Sequence, residues 1–387
     1  MNKKVKALFE QGAAGGIVLF LAALAAIIFQ NGGFRDSYQF LIHVPIEIRI
    51  GEWALAKPLY LWVNDLLMSI FFLLVGLEVK REIIEGELSS PQNIILPGIA
   101  ALGGMIVPAG CFYFFNKDIA TNLDGWAIPT ATDIAFSLGV LAILGSRIPS
   151  SLKIFLTTLA IFDDLGAIIV IALFYTDSLS ELSLGLAGIF SGILFVLNRV
   201  GVSSRIPYMF VGLLLWLCVL KSGIHATLAG VVVALAIPFK SDRPEFSPLK
   251  HLEHALHPWV SFLILPLFAF VNAGLDFALL SLESLTSPIS LGIIVGLFFG
   301  KQLGVFLFSF VAIKLGYGRM PSNANMAQLY GVSIITGIGF TMSLFIGSLA
   351  YNDLGLIEAA KTGTIVGSAL AGIFGLLVLG SSSRRQN

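Results

Sequence analysis

Charged residues are scarce in this 387-residue chain, because Lys, Arg, Asp and Glu together make up only 12% of it. Soluble domains carry about 25%. The formal net charge is zero, which argues against a nucleic-acid partner. The two cysteines, Cys111 and Cys218, lie in different apolar runs and suggest neither a disulfide framework nor a metal site. With 57% hydrophobic residues and a mean hydropathy of +0.91, the chain is predicted to be an all-α polytopic membrane protein.

Twelve apolar runs are candidates to cross a bilayer, which takes about 20 helical residues. They lie near 13–30, 59–84, 95–115, 121–143, 151–175, 182–200, 205–220, 223–238, 254–273, 290–313, 327–350 and 358–380. The seventh and eighth runs are short and only three residues separate them. We expect one integral membrane domain over residues 1–387.

The distribution of basic residues predicts the orientation of the spans. With the N-terminus inside, sixteen Lys and Arg residues fall on the cytoplasmic side and six outside, while Lys301 lies within a span. Both termini are therefore predicted to be cytoplasmic. Lys3, Lys4 and Lys6 precede the first run and resemble the start of a signal peptide. Eleven further spans need no separate export signal, so we expect the first span to be uncleaved.

The longest outer connection, roughly 31–58, contains a strand-like pattern. Residues alternate in polarity on both sides of Gly51, over approximately 44–57, which is typical of a short β-hairpin. A solvated loop is the alternative. We expect a small periplasmic hairpin.

Two adjacent acids, Asp163 and Asp164, lie in the middle of the fifth apolar run. A carboxylate near the bilayer centre costs roughly 3 kcal/mol or more. Two adjacent carboxylates also repel, so at least one should hold a proton or a cation near neutral pH. Consecutive helical side chains point about 100° apart, so one acid can face Lys301 while the other faces a water-filled funnel. We expect a site where protons and a metal ion compete, and a buried structural ion pair is the alternative.

The fourth and eleventh spans each carry a segment that weakens a helix. Pro129 in the fourth is followed by small polar residues and Asp133, and residues 335–341 of the eleventh hold two glycines and two threonines. Either feature alone would favour a kink or a close helix contact. The two spans are the middle members of spans 3–5 and 10–12, approximately 95–175 and 290–380, and they run in opposite directions. This pairing indicates inverted repeats with two crossed, broken helices around a midplane site.

Two broken helices bring two positive and two negative half-helix ends to the midplane. Asp133 is placed to offset the positive ends, and Lys301 the negative ends. Lys301 follows glycines at four-residue spacing, which predicts close helix packing. The alternative for Lys301 is that its side chain extends to the membrane interface.

A hard cation such as sodium prefers oxygen ligands. Asp163, Asp164, Thr132 and carbonyl groups freed by the broken helix could supply them.

A second charged group lies at the predicted cytoplasmic ends of the second and ninth spans. Three of the five histidines lie within 250–259, and histidine titrates near physiological pH. A pH-responsive cytoplasmic mouth is one interpretation and a solvated positive-inside anchor is the other.

Five stretches of the sequence closely resemble the bacterial NhaA-type sodium/proton antiporters. They are FFLLVGLEVKRE (71–82), GWAIPTATDIAF (125–136), IFDDLG (161–166), LEHALHPW (252–259) and GIGFTM (337–342). They are spread over nearly the whole chain and are specific together. Antiporters of this type are among the transporters that established the pattern of paired broken helices, so the pattern and the resemblance are not independent.

The resemblance implies electrogenic export of Na⁺ or Li⁺ in exchange for protons, activated at alkaline pH, in the bacterial inner membrane. It implies no enzymatic activity and no cofactor. Asp163 and Asp164 would bind the ion, Asp133 and Lys301 would balance the half-helix dipoles, and Lys301 would pair with Asp163. The outer hairpin would form a homodimer contact.

The resemblance also implies a pH-response region at the cytoplasmic mouth. It would comprise Glu78, Arg81, Glu82, Lys250, Glu253, His254 and His257. His251 stands where arginine is expected, so the set point of the pH response stays open.

Three other functions are alternatives to sodium/proton antiport. An intramembrane aspartyl protease also buries two acids, but its Tyr-Asp and Gly-x-Gly-Asp patterns do not occur here. A cation channel would not need a buried lysine beside the acids. Antiport of another monovalent cation, such as K⁺, is the nearest alternative.

Overall fold

The computed structural model describes residues 13–51, 53–176, 179–240 and 246–383. Within this part the chain is mainly helical with one small sheet. Some residues used in the sequence predictions lie outside it, namely Lys3, Lys4, Lys6, Glu52, Arg243, Arg384 and Arg385.

The elements are numbered here in chain order. They are α1 (Ala13–Asn31), α2 (Arg35–His43), β1 (Pro45–Ile50), β2 (Trp53–Pro58), α3 (Leu59–Glu85), α4 (Pro91–Asn116), α5 (Ala120–Thr130), α6 (Ile134–Leu144), α7 (Ser150–Phe174), α8 (Glu181–Arg199), α9 (Arg205–Leu220), α10 (Leu228–Ala236), α11 (Pro248–Asn272), α12 (Leu282–Leu285), α13 (Pro288–Lys314), α14 (Met326–Ile335), α15 (Phe340–Ala350) and α16 (Leu354–Ser383).

Several of these helices depart from regular α-helical geometry. The α5 segment is a 3₁₀ helix. Wide π-helical turns occur within α3 at Val63–Leu67, within α11 at Val260–Ile264 and within α13 at Gly296–Gly300. Such turns are rare in proteins overall, but those that occur are often at functional sites. The third lies directly before Lys301.

Among the described residues, eight helices are long and apolar enough to cross a membrane. Two bent pairs, α5 with α6 at 43° and α14 with α15 at 41°, raise the number to ten if each pair is one span. The predicted seventh and eighth spans correspond to α9 and α10, which have only 16 and 9 residues. The α10 helix is short because turns precede it and Gly223 adopts a φ of +86°. The count of twelve spans stays a prediction.

The hairpin predicted over 44–57 is confirmed as a two-stranded antiparallel sheet. Pro45 pairs with Pro58 and Ile50 with Trp53. Gly51 adopts a φ of +62° at the turn, a conformation that favours glycine. The preceding α2 helix was not predicted.

The chain divides into two compact units. The described part of the first comprises 13–31, 90–167 and 273–383, and contains both bent pairs, the two adjacent acids and Lys301. The second unit comprises the described residues within 32–89 and 168–272. It contains the hairpin and a core around Leu77, Tyr208 and Trp216. The expectation of one membrane domain stays a prediction.

Candidate functional site

The two helix breaks predicted from the sequence contact each other in the first unit. The backbone N–H of Asp133 donates a hydrogen bond of 2.7 Å to the carbonyl oxygen of Ile338. The hydroxyl oxygen of Thr132 lies 2.8 Å from the carbonyl oxygen of Thr336. Residues 131–133 and 336–339 therefore form one polar junction, since each break supplies groups that the other can bind.

Hydroxyl groups satisfy the carbonyl ends of the broken helices. Ser343, in the first turn of α15, donates to the carbonyl of Ile128 near the end of α5 at 2.7 Å. Ser137, in the first turn of α6, lies 3.4 Å from the carbonyl of Ile335 at the end of α14. The offset of the negative ends was predicted for Lys301, and these serines were not predicted. Free carbonyls at a helix end need such donors.

Asp133 binds the N-terminal ends of α6 and α15, which are the second halves of the two broken helices. It is 2% exposed, and its Oδ1 accepts from the backbone N–H of Phe136 at 2.9 Å, as the N-cap of α6. Its Oδ2 accepts from the backbone N–H of Thr341 at 3.0 Å and from the Thr341 hydroxyl at 2.6 Å. One carboxylate thus caps α6 and reaches the first turn of α15, where negative charge is favourable.

Ser368 of α16 also binds the start of α15. Its hydroxyl oxygen accepts from the backbone N–H groups of Gly339 at 3.2 Å and Phe340 at 3.1 Å. Gly339 also lets the two helix breaks approach each other, because a Cβ there would lie 3.0 Å from the carbonyl oxygen of Ala131. Ser368 was not predicted, since a serine in a long apolar helix carries no signal of its tertiary partner.

Lys301 and Asp163 form a buried ion pair. The Lys301 Nζ lies 2.5 Å from Asp163 Oδ2, and the two side chains are 0% and 1% exposed. Complete burial excludes extension of the lysine to the membrane interface. Asp164 is 3% exposed and lies within electrostatic range of the Lys301 ammonium.

The oxygens around Asp163 suit a small cation. Oδ1 of Asp163 is buried and accepts no hydrogen bond. The Thr132 hydroxyl lies 2.6 Å from Oδ2 and is also close to the Thr336 carbonyl. One hydroxyl proton cannot serve both acceptors. Carboxylate, hydroxyl and carbonyl oxygens therefore lie close together, and the hydrogen-bond donors are fewer than the acceptor oxygens. Hard cations bind oxygens of these kinds.

Glycines bring the backbones around Lys301 into direct contact. A Cβ on Gly103 of α4 would lie 2.4 Å from the carbonyl oxygen of Gly304, and a Cβ on Gly104 would lie 3.4 Å from the Lys301 Nζ. This confirms the close packing predicted from the glycine spacing. The wide turn of α13 also packs against both broken helices. A Cβ on Gly296 of the turn would lie 2.7 Å from Pro129 of α5. A Cβ on Gly337, between α14 and α15, would clash with the carbonyl oxygen of Leu297 in the turn.

In the second unit, the structure brings four of the predicted pH-response residues together. Arg81 Nε donates to both carboxylate oxygens of Glu253, at 2.9 and 3.0 Å. The Arg81 guanidinium also lies 2.8 Å from Glu82. Glu78 lies one helical turn away, within electrostatic range of all three. Three acids thus surround one arginine, so a change in the charge of any one alters the others.

The other predicted members are more peripheral. Lys250 pairs with Glu85 at 2.5 Å, a residue that the prediction left out. His254 and His257 are exposed, and no ion pair among the described residues includes them. Lys80 was also left out, and its ammonium binds the carbonyls of Leu235 and Ile237 at the end of α10. The four grouped residues are therefore the more compact candidate for the pH-response region.

No group of three or more His, Cys, Asp or Glu side chains that could hold a metal ion occurs in the described part of the chain. A cation at Asp163 and Asp164 would therefore need hydroxyl and carbonyl oxygens as further ligands. Thr132 and Thr336 supply such oxygens beside Asp163.

Comparisons with known proteins show the family of this chain. A family model described as Na⁺/H⁺ antiporter 1 matches residues 6–379. The Na⁺/H⁺ antiporter NhaA of Pseudomonas fluorescens is 55% identical over 382 residues, which cover 98% of this chain and 96% of the relative. The NhaA of Sulfurovum sp. is 54% identical, with 97% of each chain covered. The NhaA of Campylobacter concisus is 52% identical, with 99% and 94% covered. These relatives are named as antiporters, which are transporters and not enzymes, and the chain belongs to the Na⁺/H⁺ antiporter 1 family.

Proposed function

We propose that this chain is a secondary active transporter that exports Na⁺, and also Li⁺, in exchange for protons across the bacterial inner membrane. One observation carries the proposal. A carboxylate oxygen, Asp163 Oδ1, is buried without a hydrogen-bond donor next to a buried ammonium and the junction of two broken helices. A site that could bind either a proton or a small cation fits exchange better than permanent binding.

Asp163, Asp164 and Thr132 are the proposed ligands of the transported ion. In the structure Lys301 occupies one oxygen of Asp163. A sodium ion that binds this carboxylate would meet the lysine charge at close range, so the ammonium must move away or lose its proton. Protons and sodium then use the same oxygens at different times, which is the basis of coupled exchange.

Asp133 and Lys301 are the proposed charge-balancing residues of the broken helices. For Asp133, support comes from its hydrogen bonds to the first turns of α6 and α15. For Lys301, support comes from burial next to the junction, although its hydrogen-bond partner is Asp163. Exchange would be electrogenic if more than one proton moved per sodium ion, and Asp163, Asp164 and Lys301 are the groups that could carry them.

The inverted repeat and the twelve-span topology are part of the same proposal. Support comes from a reciprocal pattern of hydroxyl groups. Ser343 reaches back to Ile128 of the first bent pair, and Ser137 reaches towards Ile335 of the second. Such reciprocity is what two similar halves of opposite direction would produce. Both termini would then be cytoplasmic, as the distribution of basic residues predicts.

The regulatory and oligomeric parts of the proposal concern the second unit. The cluster of Arg81, Glu78, Glu82 and Glu253 would tune the pH dependence, with Lys250, His254 and His257 around it. The hairpin would join two copies of the chain as a homodimer. Its strand β1 exposes Ile46 and Ile48, at 38% and 47%, which is apolar surface that a partner copy could cover.

Cation-driven dequenching of a pH-sensitive dye tests the proposal directly. Everted vesicles or proteoliposomes that contain the chain should show proton movement on addition of Na⁺ or Li⁺. Potassium should produce little movement if the site selects small cations. Proton movement with K⁺ but not Na⁺ would favour the alternative of an antiporter for another cation, and no movement with any cation would contradict antiport.

A further inference from the structure

The direction in which the Lys301 side chain leaves α13 depends on the wide turn Gly296–Gly300. The backbone N–H of Lys301 donates to the carbonyl of Gly296, five residues before it. A π turn contains one more residue than an α turn, so it rotates every following side chain. Without this turn, Lys301 would not emerge on the face that meets Asp163. Whatever fixes the turn therefore fixes the position of the buried ammonium.

Gln302 makes a hydrogen bond within this turn. It is 5% exposed, and its Nε2 donates to the carbonyl oxygen of Phe298 at 2.6 Å. A carbonyl only accepts, so the amide nitrogen must face Phe298 and the amide oxygen must face away. That oxygen, Oε1, accepts from the hydroxyl of Tyr330 at 2.8 Å. The orientation of the amide is thus set at both ends.

Tyr330 belongs to α14, the first half of the second broken helix. Its ring packs edge to face against Phe306 of α13, with centroids 5.1 Å apart. The ring of Phe298 in turn packs against Phe374 of α16 at 5.2 Å. The chain of hydrogen bonds therefore runs from the broken helix, through Gln302, to the wide turn that carries Lys301.

We propose that Gln302 and Tyr330 are positioning residues for Lys301, because the Tyr330–Gln302–Phe298 hydrogen bonds fix the wide turn and attach it to α14. This inference rests on the proposed function, in which Lys301 and sodium alternate at Asp163. Neither residue touches the ion ligands in the hydrogen bonds described above. They act through the backbone of residues 296–300 and through the distance between Lys301 and Asp163.

Substitutions separate this role from a merely structural one. Tyr330→Phe removes one hydroxyl and leaves the ring, and Gln302→Met removes both hydrogen bonds with a side chain of similar length. Tyr317→Phe is the matched control, since Tyr317 is 66% exposed in the connection that follows α13. If Gln302→Met does not fold, Tyr330→Phe alone decides the question.

Two readouts are needed on the purified proteins. The sodium concentration that half-saturates the rise in Tm gives the affinity of the folded protein, and dye dequenching gives the half-saturating sodium and the maximal exchange rate. We expect Tyr330→Phe to raise the half-saturating sodium about three- to tenfold in both assays, the order of one buried hydrogen bond. The maximal rate should change less. Gln302→Met should have a larger effect, and the double variant should equal Gln302→Met because both bonds pass through one amide.

The outcomes distinguish this inference from the proposed function. A fall in Tm without sodium, combined with wild-type sodium affinity in both variants, would make the pair merely structural and would overturn the inference alone. Additive effects of the two substitutions would also overturn it. If the wild-type protein shows no sodium response at all, the proposed function fails and the inference fails with it. A loss of affinity shared by Tyr317→Phe would mean that the change is not specific to the pair.

Discussion

Asp133 and Thr341 are joined by two hydrogen bonds, although 208 residues separate them in the sequence. Both the backbone N–H and the hydroxyl of Thr341 donate to the same carboxylate oxygen, at 3.0 and 2.6 Å. Asp133 also caps α6 through its other oxygen. This carboxylate therefore connects the two broken helices at the first turns of α6 and α15.

Thr341→Val tests that connection. The substitution keeps the shape of the side chain and removes the hydroxyl donor to a buried carboxylate, so we expect a loss of about 1.5–3 kcal/mol in stability, the range for a hydrogen bond to a charged group. Exchange should fall as well, because the junction beside Thr132 loosens. The Tm of the purified protein and the sodium-driven flux measure the two effects. Thr157→Val is the control, since the Thr157 hydroxyl donates to the carbonyl oxygen of Lys153 in its own helix. An equal loss there would contradict a special role for Thr341.

Asp163→Asn and Asp164→Asn should differ in stability even if both abolish exchange. Removal of the Asp163 charge leaves Lys301 buried without its hydrogen-bonded partner. Loss of one partner of a buried ion pair costs about 3–5 kcal/mol when the lysine stays charged. Asp164 has a weaker electrostatic effect on Lys301 than Asp163 has, so we expect the Tm of Asp163→Asn to be the lower of the two. Equal Tm values would mean that the Lys301–Asp163 pair contributes little to stability.

Double substitution of the ion pair provides the matching check. Asp163→Asn combined with Lys301→Met removes both buried charges, so it should recover much of the stability that Asp163→Asn loses. Additive losses in Tm would contradict an interaction between the two residues.

Lys301→Ala and Lys301→Arg separate two roles of the lysine. The alanine variant should lose stability and exchange, because the Asp163 carboxylate keeps no counter-charge. Arginine keeps the charge but does not release its proton at moderate pH. If Lys301 only balances charge, Lys301→Arg should exchange ions with the wild-type number of charges per cycle. If it carries a coupled proton, the number of charges should change, as solid-supported membrane currents can measure.

The cluster around Arg81 gives a prediction about pH dependence. Glu253→Gln removes the carboxylate charge whose two oxygens share the Nε–H of Arg81, and Glu253 lies outside the unit that holds Asp163. It should shift the pH profile of exchange without abolishing it. Glu181→Gln is a suitable control, because Glu181 is an exposed carboxylate elsewhere in the same unit.

Competition at the central carboxylates offers a rival source of pH dependence, and we expect it to be the larger effect. Under pure competition, saturating sodium should restore the full rate at acidic pH. A conformational sensor at the mouth should instead leave a reduced maximal rate. Unchanged pH profiles in Glu82→Ala, Glu253→Ala and His257→Ala would assign the pH dependence to Asp163 and Asp164.

Much of the site could be predicted because its residues conflict with their local sequence. Asp163 and Asp164 interrupt an apolar run, Pro129 cannot continue a helix, and Lys301 is a charge inside a span. The hairpin around Gly51 could be predicted from alternation. Each of these signals is local, and the structure places each residue in the expected element.

Other features of the site could not be predicted, because they depend on tertiary contacts. Ser368, Ser343 and Gln302 look like ordinary polar residues of apolar helices, and only packing shows that they bind the ends of broken helices or a wide turn. The π turn before Lys301 has no propensity signal. Hydropathy also started the eighth span at residue 223, whereas α10 begins at Leu228, because hydropathy does not register turns such as the one in which Gly223 has a positive φ.

The central claim is that sodium and protons exchange through Asp163 and Asp164. The most direct test is sodium-driven proton flux in proteoliposomes that contain equal amounts of folded wild-type protein or Asp164→Asn. The account predicts flux in the wild-type vesicles and none above the protein-free background in the variant. Flux of wild-type size and sodium dependence in Asp164→Asn would contradict it.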